Sequence, residues 1–160
     1  MRRFSPVFAV LFLVSAIACT KGSDDQTIFQ ATLSGANEVP ARGTAAAGAV
    51  GINVEGTTVH YTIETNAITS VTGAHIHSGA AGANGPIRIS LYPGPGVNFA
   101  TTATGSINGI LIEGSFTSSQ VSGVTFDELL AQMRAGTAYA NVHTTTFPGG
   151  EIRGQLRLVQ

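Results

Sequence analysis

Short runs in which every second residue is apolar recur along this chain, separated by clusters of glycine, proline, asparagine and serine. Phe29, Ala31 and Leu33 form one run, Val50, Ile52 and Val54 another, and Val59, Tyr61 and Ile63 a third. Ile87, Ile89 and Leu91 follow, then Ile110, Ile112 and Phe116 with Gly114 in the series. Near the end, Ile152, Leu156 and Leu158 alternate with Glu151, Arg153, Gln155 and Arg157. A period of two sends alternate side chains to opposite faces of a strand, so each run offers one apolar and one mostly polar face. Many short strands of this kind bury their apolar faces by stacking two sheets or by closing one sheet on itself. The expected fold is all-β, an antiparallel sandwich or barrel.

One segment departs from that period. In "TFDELLAQMRAG", Phe126, Leu129, Leu130 and Met133 stand at helical spacing. Thr125 and Glu128 make a capping box, and Gly136 supplies a stop. The pattern predicts one short helix near residues 126–135, covering an open end or edge of the sandwich.

The N-terminus reads as an address. Residues 1–18, "MRRFSPVFAVLFLVSAIA", begin with Arg2 and Arg3 and continue into an apolar stretch too short to span a bilayer comfortably. That is the layout of a secretory signal peptide. Cys19, the only cysteine, follows small residues in "SAIAC", which resembles a bacterial lipobox. An unpaired cysteine is a liability in an oxidising compartment, so lipidation of Cys19 is the expectation. Acyl chains there would hold the protein to a membrane surface. Residues 19–27 then form the lipidated cysteine and a small, polar, flexible tether, and 28–160 a single domain. The expected location is the bacterial cell envelope, across the inner membrane, on the periplasmic side or at the cell surface. Loss of Arg2 and Arg3 takes the net charge from −1 to −3, with six basic residues left against nine acidic ones. No basic run or basic–aromatic interleaving points to nucleic acid.

The histidines expose an internal echo. "AHIHSGAAGANGPIRISL" (74–91) and "ANVHTTTFPGGEIRGQL" (140–156) both open on Ala-x-aliphatic-His, pass through a Gly/Pro loop, and continue Ile-Arg-x-x-Leu. Each reads as a hairpin with a histidine where the first strand enters its loop, and Pro148 and Gly149 suit the centre of a type II turn. With Ala74, Ile76, Ala140 and Val142 facing the core, His75, His77, Tyr139, Asn141 and His143 face away from it. If the hairpins lie side by side, His75, His77 and His143 share one surface. Three neutral imidazoles suit copper or zinc, and Glu38, Asn141 or Glu151 could orient a ring as outer partners. The plainer alternative is that these histidines hydrogen-bond loop backbone and close the hairpins. His60, between Val59 and Tyr61, reads as a surface strand residue. Arg88 and Arg153 occupy the same place in both hairpins. They read either as surface ion pairs or as clamps on a loop carboxylate such as Glu38 or Glu151.

The segments "FQATLSGANEVP", "GAHIHSG" and "YANVHTTTFPGGEIRGQL" together resemble the CHRD domain, named after chordin, over about Phe29 to Leu156. That family recurs in secreted and membrane-anchored proteins, and in chordin its copies sit in an extracellular antagonist of bone morphogenetic proteins. The resemblance implies an extracytoplasmic β-rich binding or interaction module with a protein or cell-surface partner, and brings no reaction with it. "GAHIH" before a glycine-rich loop also looks like the histidine strand of copper/zinc superoxide dismutase, so the sandwich or barrel is expected to be immunoglobulin-like or superoxide-dismutase-like. The dismutase site needs more histidines than the four here, an aspartate near them and a disulfide; Asp127 lies on the predicted helix and the fold holds no cysteine. A metalloenzyme of that type, or a purely structural surface module, stand as alternatives. No nucleophile elbow or phosphate-cradling loop with a following lysine is present.

Overall fold

The computed structural model describes residues 26–94 and 103–160; the expected leader, Cys19 and nearly all of the tether lie outside them. The described residues form β1 (Thr27–Ser34), β2 (Ala47–Glu55), β3 (Thr58–Ser78), β4 (Ile87–Tyr92), β5 (Ala103–Thr117), α1 (Phe126–Arg134), β6 (Ala138–Thr144), β7 (Ile152–Gln155) and β8 (Arg157–Leu158).

β3 organises the molecule. Its first half lies between β2 and β5, with Val59 paired to Val54 and Phe116. Its second half lies between β6 and β4, with Ile76 paired to Ala140 and Ile89. The strand therefore belongs to two antiparallel sheets, β5-β3-β2-β1 and β4-β3-β6-β7. It changes sheet around Ala67 and Ser70, which take left-handed φ values of 54° and 53° where the register against β5 slips. Such bulges bend a strand and let it turn a sandwich corner. At the opposite side Ser34 of β1 pairs with Arg153 of β7, so the pairings close a circuit and the sandwich has a barrel-like seam.

The apolar alternation fills the space between the sheets. Phe29, Leu33, Ile52, Ile63, Ile76, Leu91, Phe116 and Ile152 are all buried. Gly114 supplies room for the Tyr61 ring, whose hydroxyl donates to the Leu91 carbonyl at 2.8 Å. Three residues expected in the core are exposed instead: Ile87, Ile110 and Leu158. A one-residue slip moves a side chain to the other face. The β3–β4 register slips between Ile76 and His77, which sets Ile87 opposite outward-facing His77. The β3–β5 register slips after Ile63, which sets Ile110 opposite exposed Glu64. Leu158 lies beyond the break between β7 and β8, where the chain leaves β6 and pairs with β1 instead.

The helix forms where its pattern predicts. Thr125 and Glu128 complete the capping box, and Leu129, Leu130 and Met133 are buried, packing α1 against β6 and β8. Gly136 follows at φ 68°, and its N–H donates to the Met133 carbonyl.

Candidate metal centre

The two echoing segments are hairpins, β3–β4 and β6–β7, and they lie side by side through the β3–β6 pairing. The register there gives the echo a geometric meaning. Ala74 pairs with Val142, His75 with Asn141, Ile76 with Ala140, His77 with Tyr139, and Gly73 with His143. Exchanging the two strands carries each residue onto its echo. His75 and Asn141 exchange with each other across a local two-fold axis, and His77 exchanges with His143.

The face that carries these groups points away from the core, as expected, but much of it is covered, with His75 and His143 half-buried. His77 is 7 % exposed and Arg153 only 1 %, and Tyr139 and Asn141 are also buried. Loop residues 79–86, 145–151 and 35–40 fold over it. Arg153 gathers the first of these loops by donating to the carbonyls of Ala80 (3.0 Å) and Ala83 (2.8 Å) and to Asn84 Oδ1 (3.2 Å). It is neither a surface ion pair nor a carboxylate clamp, because a loop of small residues presents backbone oxygens and no acid. Arg88 likewise meets no carboxylate; it donates to Ser78 Oγ and to the Ser122 carbonyl. β6 lies between β3 and β7, so Tyr139 separates His77 from Arg153. The imidazole stacks on it at 4.8 Å between centroids, and the guanidinium lies 3.4 Å from the ring centre. Sequence reasoning placed Tyr139 on this face but gave it no part in the site, and missed Asn84 and Gln155, whose Oε1 accepts from Arg153 at 3.2 Å while its Nε2 donates to the Gly79 carbonyl at 3.0 Å. What covers a strand face depends on loop paths that periodicity does not encode.

The three histidines converge. One ligating atom from each of His75, His77 and His143 lies within 4.8 Å of the others. His77 Nδ1 lies 2.8 Å from the Gly85 carbonyl and His143 Nδ1 lies 2.9 Å from the Pro148 carbonyl. A carbonyl only accepts, so both rings carry their proton on Nδ1 and turn a lone pair inward from Nε2. His143 Nε2 is 3.0 Å from His75 Nδ1. His77 Nε2 is buried with no hydrogen-bond partner. Burial keeps the rings neutral: desolvation lowers all three from the usual histidine range, and His75, with His143 and His77 adding to the effect, is pushed down to about 4. Glycines make the space. A methyl group on Gly73 would press on the His75 ring at 3.1 Å, and one on Gly79 would press on Tyr139 at 3.0 Å.

The proposed outer partners separate into different roles. Glu151 touches no histidine; it accepts from Thr44 Oγ1 (2.6 Å) and Thr144 Oγ1 (2.7 Å) and fastens two loops. Glu38 is buried beside Gly150, and its Oε1 has no hydrogen-bond partner. Desolvation pushes the Glu38 carboxyl up, opposed by the charges of Arg153 and Arg42 and by the Val39 N–H. Asn141 Oδ1 lies 3.0 Å from His143 Nε2. Pro148 and Gly149 do occupy the centre of a turn closed by Gly150 N–H on the Phe147 carbonyl. The left-handed conformation falls on Gly150, at φ 120°, so the turn is not type II. His60 is on the surface, 53 % exposed and 3.8 Å from Glu55.

Chemically, the arrangement is three neutral imidazoles: backbone carbonyls orient His77 and His143 with Nε2 lone pairs inward, and the His143 lone pair accepts from His75 Nδ1–H in the metal-free protein. Neighbouring donors around an ion at ~2.1 Å lie ~3.4 Å apart in a tetrahedral site, so the widest pair must close by up to ~1.4 Å, shared between two rings. No curated protein and no solved structure matches the chain. The family model of the CHRD domain matches residues 29–156, a span that contains both sheets, both hairpins and all three converging histidines. The chain belongs to the CHRD domain family.

Proposed function

We propose that this protein is an extracytoplasmic, lipid-anchored binding module whose domain holds a copper or zinc ion between His75, His77 and His143. One observation carries the metal reading: His77 Nε2 is buried and turned toward two further imidazoles with no partner at hydrogen-bond geometry, the Asn141 side chain being near enough only to oppose the lowering of its pKa. A buried nitrogen of this kind costs free energy unless something meets its lone pair. The loop-fastening alternative accounts for Nδ1 of His77 and His143, and the His75 contact accounts for Nε2 of His143, but Nε2 of His77 is left unexplained. The anchor reading is supported by the basic start, the short apolar stretch and "SAIAC" ahead of the tether. A membrane and a protein or cell-surface partner are the expected associations.

The metal reading is tested by titrating zinc(II) and copper(II) into the wild-type chain, His77→Ala and His60→Ala. Tight binding is expected in the wild type and His60→Ala and is lost in His77→Ala. Equal behaviour of the two variants would overturn the site.

A further inference from the structure

We infer that Asn141 is a fourth metal ligand, through Oδ1, so that His75, His77, Asn141 and His143 form a closed N3O site. This rests on the metal reading above and deepens it.

Three observations converge on Asn141. The first is symmetry. The β3–β6 register carries His77 onto His143 and His75 onto Asn141, so the local two-fold maps this four-residue set onto itself. A three-histidine site would leave the partner of His75 without a role.

The second is a pair of facing acceptors. His143 gives its Nδ1 proton to the Pro148 carbonyl, so its Nε2 holds a lone pair. Asn141 Oδ1 stands 3.0 Å from that nitrogen. With the amide oxygen turned inward, no proton lies between them to form a hydrogen bond. The separation is close to the ~3.0–3.4 Å edge between neighbouring donors around an ion at ~2.1 Å.

The third is the carboxylate behind the amide. A methyl group on Gly150 would overlap Glu38 Oε1 and touch Asn141 Nδ2 at 3.0 Å, so the carboxylate lies on the Nδ2 side. A carboxylate oxygen accepts, which favours the NH2 toward Glu38 and Oδ1 toward the histidines. Glu38 Oε1 takes no hydrogen bond from the amide here, so the carboxylate biases its orientation only through its charge and accepting character.

A four-donor sphere leaves no open position, the mark of a site that holds an ion rather than one that activates a substrate. All four donors are neutral, so the ion keeps its full charge and an added carboxylate would bind it more tightly.

The test uses cobalt(II) as the probe on the full chain, comparing wild type, Asn141→Leu and Asn141→Asp. Wild type is expected to show the intense visible bands of four-coordinate cobalt. Asn141→Leu should alter those bands and weaken binding by at least about 10- to 100-fold. Asn141→Asp should retain them and bind as tightly or more so. If Asn141→Leu matches wild type in spectrum and affinity, the inference fails and the three-histidine site stands. If wild type binds no cobalt, both fail together. A second measurement needs no variant: in zinc-loaded wild-type protein the Asn141 side-chain carbonyl carbon resonance should shift relative to the metal-free protein, and an unmoved resonance would overturn its ligation.

Discussion

His77 uses the two sides of one ring differently. Nδ1 fastens the loop through Gly85, and Nε2 faces the cluster. His143 repeats the fastening through Pro148. The two roles weighed against each other from sequence are therefore compatible, because the loop bond fixes the tautomer that turns the other nitrogen inward. Neutral burial has a pH consequence for the metal-free protein. The unfolded chain protonates its histidines near pH 6.5. The folded chain resists until lower pH, to about 4 for His75. The folded state thus binds fewer protons in that interval, so its stability is full above about pH 6.5 and falls as pH drops toward 4. Glu38, whose carboxyl is raised, acts with the opposite sign, one group against three histidines. The urea midpoint, measured with chelator present, should decline from pH 7 to pH 5; a flat midpoint would contradict buried neutral rings.

At the scale of elements, loops and strands exchange the usual roles, with loops covering a strand face and a strand arginine holding them. Arg153→Met should cost about 2 kcal/mol, since several loop oxygens lose their donor and must find water. It should also speed amide exchange across residues 79–86. Arg88→Met should stay within about 1 kcal/mol, a contrast that equal effects would refute. Gly150→Ala should cost about 2 kcal/mol or more, because φ is 120° and the new methyl would meet Glu38. Much at this scale was legible beforehand. The capping box at Thr125 and both hairpins follow from period and repeat, whereas the adjacency of the hairpins was only a condition in the sequence reading and is supplied by the β3–β6 pairing. The faces of Ile87 and Ile110 did not, because a bulge changes the period by one residue without any marker in composition. Burial of Arg153 was hidden for a different reason: its two shortest hydrogen bonds go to backbone carbonyls, which every residue carries.

For the whole molecule, one strand shared by two sheets sets the histidines on a single outer face, close to the seam where β1 meets β7. The repeat supplied the third histidine and its direction, and convergence of His75, His77 and His143 followed only on the condition that the hairpins lie side by side. The enclosure was not legible, and enclosure is what turns a surface trio into a candidate ion site. The membrane association is an expectation from sequence, and Cys19→Ser should move the protein from the membrane fraction to the soluble one; unchanged sedimentation with membranes would contradict lipidation. The most direct measurement is the metal content of the purified chain after loading with zinc(II) or copper(II) and removal of loose ion. A preformed histidine site predicts about one equivalent per chain in wild type and loss of that ion in His77→Ala, whereas less than about 0.2 equivalents in wild type would contradict a metal centre.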